Sequence, residues 1–235
     1  MTNLSGHRIM LDSVNWKAIL AAVKAGQQFR GLPVSLAAGY LDGPVSQWPP
    51  EAWTAMEAAG VAGLVGITVT GKGAAAGRAR AADAEPGDMN PASAAMWASG
   101  ERAAGRWPVI YCDRSDKPHV IAACTGRQLR LSKDYGLWVA TLDGGFADLD
   151  GSDLREQPGV VAIQYRQAFS PIHVAGQPPD LDVSLVVSAS WRAARLPQPA
   201  PDVPAPSPWK AQALADAQGL VKRATALEEL LKAHQ

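Results

Sequence analysis

Apolar positions in the first two thirds of the chain form short runs separated by helical stripes. Ile9-Met10-Leu11 is a brief apolar run closed by Asp12. Ile19, Leu20 and Val23 then recur at helical spacing, with Asn15 placed to cap the helix and Gly26 to stop it. Residues 33–40 read as a second strand, and Pro49 or Pro50 opens a helix through Trp53 and Met56 to Gly60. The run 61–70 is continuously apolar and β-branched, the pattern of a strand buried on both faces. Residues 71–77 read as a flexible loop. A strand of small residues follows, reaching Asp83-Ala84-Glu85 before Pro86 and Gly87 stop it.

The alternation then continues. Pro91 opens a helix through Met96 and Trp97 that Gly105 ends, and 109–112 is a strand closed by Asp113. A helix is expected near 118–124 and a strand at 137–140, followed by Asp143-Gly144-Gly145. From here the helices thin out. Residues 148–158 are polar and irregular, and 160–165 and 181–186 read as the seventh and eighth strands. A last helix is expected near 187–195. Strands alternating with helices predict a parallel sheet, and eight such strands predict a closed α/β, TIM-like barrel.

Beyond the barrel the pattern changes. Residues 196–208 hold six prolines in thirteen positions, the composition of a stiff extended linker. In the last stretch Ala213, Ala217, Leu220, Ala224, Leu227, Leu231 and His234 recur at alternating spacings of 4 and 3, a heptad seam. The expected organisation is a barrel over 1–196, a linker over 197–208 and a heptad helix over 209–235. A helix this short is marginal alone. Its seam calls for a partner: the barrel's flank, a second copy, or another protein such as a virion component.

Composition narrows the functional classes. The chain has 235 residues, formal net charge zero and a pI near 6.9, so no basic surplus holds nucleic acid or an anionic membrane by bulk electrostatics. Residues 1–10 lack the apolar core of a signal peptide, and no apolar run approaches the length of a membrane span. The product is therefore expected to stay in the cytoplasm where it is made, unless another system exports or assembles it. Cys112 and Cys124 lie in apolar contexts and read as reduced core thiols. His7, His119, His173 and His234 have no metal-site spacing.

The candidate chemistry is carboxylate chemistry. Residues i and i+2 of a strand share a face, so Asp83 and Glu85 are expected side by side where a barrel strand opens into its loop. Two close carboxylates cannot ionise independently, and one is pushed up towards a proton donor's range. Asp12, Asp42, Asp83, Glu85, Asp113, Asp143 and Asp182 are all expected on one rim, lining an acidic cup. Asp42 and Asp143, each before glycine, also fit turns.

Several segments resemble glycoside hydrolase family 25, the lysozymes and phage endolysins that cut peptidoglycan. They are Asp83-Ala84-Glu85, Pro108-Val109-Ile110-Tyr111, Trp138-Val139-Ala140, Ile163-Gln164-Tyr165 and Asp182-Val183-Ser184. Leu11-Asp12-Ser13-Val14-Asn15, Ala38-Gly39-Tyr40-Leu41-Asp42-Gly43 and Asp83-Ala84-Glu85-Pro86-Gly87-Asp88 are similar to the lysozyme-like proteins of actinobacteria and their phages. The resemblance spans about residues 8 to 190 and implies a (βα)5β3 barrel with no cofactor, acting on peptidoglycan glycan strands at the cell wall after lysis or from a virion. It implies Glu85 as general acid of a muramidase-type hydrolase. Asp83 and Asp182 would stabilise the oxocarbenium or oxazolinium-like species, with Asp12 across the cup setting binding or pKa. Tyr40, Asp42, Tyr111, Trp138, Gln164 and Tyr165 become candidate sugar contacts. Ser13 directly follows Asp12 where those lysozymes have Asp-x-Ser, and the segment before Asp83 is Gly/Ala-rich. The alternative is thus a non-catalytic lysozyme-like barrel, a virion structural or cell-wall-binding protein.

Overall fold

The computed structural model describes residues 7–29, 31–44, 47–72, 77–141, 158–169, 181–187 and 191. The chain divides into two units, Met1–Leu196 and Pro197–Gln235. The expected linker and heptad helix lie outside the described residues, as do Asp143, His173, and the helix near 187–195 apart from Val187 and Trp191.

Eight strands close on themselves: β1 (Arg8–Asp12), β3 (Leu32–Tyr40), β4 (Gly63–Thr68), β5 (Ala81–Asp83), β6 (Val109–Asp113), β7 (Gly136–Ala140), β8 (Val160–Phe169) and β9 (Leu181–Val186). Each pairs with the next, and β9 pairs back with β1. A short β2 (Gln28–Phe29), not anticipated from the sequence, adds antiparallel to the start of β3. Helices α1 (Trp16–Lys24), α2 (Pro50–Ala58), α3 (Pro91–Ala103) and α4 (Lys117–Gly126) follow β1, β3, β5 and β6. The cap read from the sequence is made, Asn15 Oδ1 accepting from the Ala18 N–H at 3.4 Å, and Asn90 Oδ1, not anticipated as a cap, accepts from the Ser93 N–H at 2.8 Å. Among the described residues no helix is long and apolar enough to cross a membrane.

The barrel is α/β and closed, but the sheet is not wholly parallel. Strand β9 runs antiparallel to both β8 and β1. A parallel return needs a crossover of about a dozen residues or more, and only residues 170–180 separate β8 from β9. The reversal changes how Asp182 reaches the rim. It is the second residue of its strand, not a residue at a C-terminal end, and antiparallel register sets it opposite Asp12.

Alternation along the strands sorts residues into three apolar clusters. Met10, Leu36, Ala38, Val65, Ile67, Ala81, Val109, Trp138, Ala162 and Val186 fill the barrel interior, which is a packed core rather than a pore. Ile9, Leu11, Ile163, Val183 and Leu185 face outwards under α1 and α2, where Ile19, Ala52, Trp53 and Met56 cover them. Ala82, Ile110, Cys112, Leu137 and Val139 face α3 and α4. Both cysteines are free thiols within this last layer.

Candidate active site

The register of the strands assembles the rim. Asp12 ends β1, Tyr40 ends β3 and Asp83 ends β5, each on the inward face two or four residues past a core residue. On β6 Tyr111 pairs with Asp83 across the ladder, and on β9 Asp182 pairs with Asp12. Asp83 is 1% exposed and its Oδ2 accepts a hydrogen bond from the Tyr40 hydroxyl at 3.1 Å. The Tyr111 hydroxyl lies beside Glu85 and opposes the rise of its carboxyl. Two tyrosine–carboxyl pairs thus stand side by side at the mouth of the barrel.

Glu85 does not share a strand with Asp83, as the spacing suggested. The strand ends at Asp83, and Glu85 opens a tight turn in which the Asp88 N–H donates to the Glu85 carbonyl at 3.0 Å. Pro86 occupies the second place of that turn and Gly87, with φ at +105°, the third, the signature of a type II turn. The Met89 N–H then donates to the Asp83 carbonyl at 3.1 Å, bringing Asp88 back beside the pair. Asp88 is a site residue the sequence reading did not single out. The Pro-Gly step was the signal: a type II turn returns the chain to where it began.

Electrostatics separate the two acids. Burial raises the Asp83 carboxyl to about 8, with Glu85 and Asp88 adding to the rise and the Tyr40 hydrogen bond opposing it. Burial also raises Glu85, the Tyr111 hydrogen bond lowers it, and Asp113, Asp88 and Asp182 raise it further. The largest rise therefore falls on Asp83, because it sits at the end of an inward strand face while Glu85 stands beyond the strand, half-buried. Burial and the surrounding carboxylates push both phenols far above the ordinary tyrosine range, so both remain protonated donors.

The other expected contacts fall in different places. Trp138 is buried beneath Tyr111, ring centroids 4.8 Å apart, and above Trp191 at 5.6 Å. Its Nε1 donates to Ser184 Oγ at 3.0 Å, so it is the floor of the cup rather than an open sugar platform. Gln164 faces inwards and is buried, whereas the next residue, Tyr165, packs in the outer layer with Leu181 and Val183. Adjacent residues of one strand cannot both line the cup. Asp42 accepts from the Thr68 hydroxyl and the Val69 N–H, each at 2.7 Å, and from the Thr70 hydroxyl; it ties the loop after β4 to the loop after β3. Asp113 likewise accepts from the Ser115 hydroxyl at 2.7 Å and the Asp116 N–H at 2.8 Å, which hold it below the usual carboxylate range. It is a turn acid.

No protein-family model matches this sequence, and no curated protein does. Among solved structures, the chain is similar to an uncharacterized B. stearothermophilus protein determined at 1.07 Å. The two share 17% sequence identity with a TM-score of 0.56, over 79% of this chain and 99% of that one, a likeness of fold.

Proposed function

We propose that the chain is a glycoside hydrolase of the lysozyme-like, muramidase kind, cutting amino-sugar glycan strands of the peptidoglycan type on a barrel of the (βα)5β3 kind. The observation that carries this reading is the adjacent Tyr40–Asp83 and Tyr111–Glu85 pairs at the barrel mouth, with Asp12 and Asp182 opposite. The helices after β1, β3, β5 and β6 support the barrel type.

Glycosidic cleavage needs a proton delivered to the leaving oxygen and negative charge beside the positive ring that forms. Asp83 and Glu85 hold a proton between them at neutral pH, since burial and mutual repulsion oppose their both ionising. A sugar seated in the cup covers Glu85, removes its remaining solvent and favours the proton there. Glu85 gives that proton to the glycosidic oxygen as the bond to the anomeric carbon breaks. Asp83 on one side and the Asp12–Asp182 pair across the cup then face the oxocarbenium-like carbon with negative charge. Tyr40 and Tyr111 hold the two carboxyls in place, and water completes the hydrolysis.

The test is release of reducing ends from purified peptidoglycan by the full chain. Soluble product that appears with time and depends on Glu85 supports the reading. Binding to the same glycan without release favours the non-catalytic, wall-binding barrel.

A further inference from the structure

Resting on the glycan reading above, we propose that the cup recognises a sugar bearing a free amine, the 2-amino-2-deoxyhexose of a de-N-acetylated glycan, in preference to its acetamido form. Asp12, Asp83, Glu85, Asp88 and Asp182 act on the same pair of tyrosines or on one another. The Tyr40 hydroxyl proton is committed to Asp83, and the Tyr111 hydroxyl lies beside Glu85. Gln164 lies on the inward face of β8, paired with Ser184, which shares the inward face of β9 with Asp182. It is 1% exposed, and its Oε1 has no hydrogen-bond partner among the described residues. Asp83 Oδ1 is a second buried oxygen without a partner among them, and it becomes an acceptor once a cation displaces the Asp83 proton.

A buried acceptor without a donor is costly, and a ligand that brings the donor recovers that cost. An ammonium brings three donors and a positive charge, and its hydrogen bonds to carboxylates are about twice as strong as neutral ones. An acetamido group brings one N–H, and it also brings a carbonyl oxygen and a methyl that acceptors cannot bond. The wall therefore distinguishes the two substituents by charge and by donor count together.

This preference has a signature that a merely adhesive acidic surface lacks. Burial, then the charges of Glu85 and Asp88, keep Asp83 protonated near neutral pH. A cation entering the cup favours ionised carboxylates, so amine binding expels a proton while neutral-sugar binding does not.

Calorimetric titration of the full chain with a glucosamine tetramer and an N-acetylglucosamine tetramer tests this, at about pH 5.5, where the sugar amine already carries its proton and Asp83 still holds its own, in two buffers of different ionisation enthalpy. The amine form is expected to bind at least about tenfold more tightly, with a buffer-dependent enthalpy that reports proton release. Its advantage should shrink several-fold in Asp88→Asn. Equal or tighter binding of the acetamido form, a buffer-independent enthalpy for the amine, or equal binding of tetralysine overturns the amine preference and leaves the glycan reading standing. Binding of neither sugar, together with no binding of peptidoglycan, overturns both.

Discussion

At the scale of single residues the site depends on how two carboxyls divide one proton. Glu85→Gln removes the donor nearest a seated sugar and leaves a half-buried amide in its place. Hydrolysis should fall by about 10²–10⁴, the usual contribution of general acid catalysis, with the melting temperature nearly unchanged. Reducing-end assays and thermal unfolding on the same samples check both halves. Asp83 makes a separate prediction through pH. Its folded carboxyl is raised to about 8, so the folded chain holds a proton that the unfolded chain releases above its ordinary range near 4. The side with more bound protons loses ground as pH rises. Stability from this group is complete below the ordinary carboxyl range and lost as pH climbs through about 8. Thermal unfolding of the wild-type chain at pH 5 and pH 8 should show that loss, and Asp83→Asn should flatten it. An unchanged slope in the variant would assign the titration to another group.

At the scale of elements, the rim is held by contacts that look incidental in the sequence. Gly39 lies on β3 directly before Tyr40, and a methyl group there would overlap the indole carbons of Trp48 and come within 2.6 Å of its Nε1. That indole stacks at 4.6 Å on Trp53 of α2 and donates from Nε1 to the Ser13 carbonyl at 2.8 Å. Ser13 Oγ in turn accepts from the Asn15 N–H at 2.8 Å, fixing the turn that follows Asp12. The buried indole is hemmed in and cannot swing away cheaply. Gly39→Ala should therefore cost about 1–3 kcal/mol of overpacking. That corresponds to a drop of roughly 2–12 °C in melting temperature for a domain of this size. Because Ser13 follows Asp12, the same variant should weaken glycan binding as well as stability. A variant that melts normally would mean that β3 and the Trp48 loop separate freely.

For the whole molecule, closure of the barrel is the decisive event. Asp12 and Asp182 are 170 residues apart and meet only when β9 pairs antiparallel with β1. The C-terminal seam of Ala213, Ala217, Leu220, Ala224, Leu227 and Leu231 follows a linker with six prolines. Alanine at half of these positions buries little area, at about 25 cal/mol per Å² of apolar surface, so the helix should pair only weakly with itself. Deleting residues 209–235 should leave the barrel's melting and glycan release unchanged and remove any assembly contact. Sedimentation of full and shortened chains compares their masses, and a truncated chain that no longer folds would place the helix in the domain.

Much of this architecture was legible in the amino-acid pattern, because helical stripes, the capping Asn15 and apolar strand runs are local signals. Strand–helix alternation pointed to a closed α/β barrel, and acids at strand ends put Asp12 and Asp83 on its rim, while Tyr40 and Tyr111 entered only through the family resemblance. Gln164 and Tyr165 show the limit of a motif read without that period: as neighbours on one strand they face opposite ways, and only Gln164 faces the interior. Three features were decided by the tertiary structure. The short return from β8 made β9 antiparallel and brought Asp182 to the rim from the start of its strand. The Pro86–Gly87 turn carried Glu85 off the strand and folded Asp88 back beside it. Burial at the end of β5 then gave Asp83, rather than Glu85, the larger rise. Each depends on groups far apart in sequence becoming neighbours, where desolvation and charge act through space and leave no trace in local spacing.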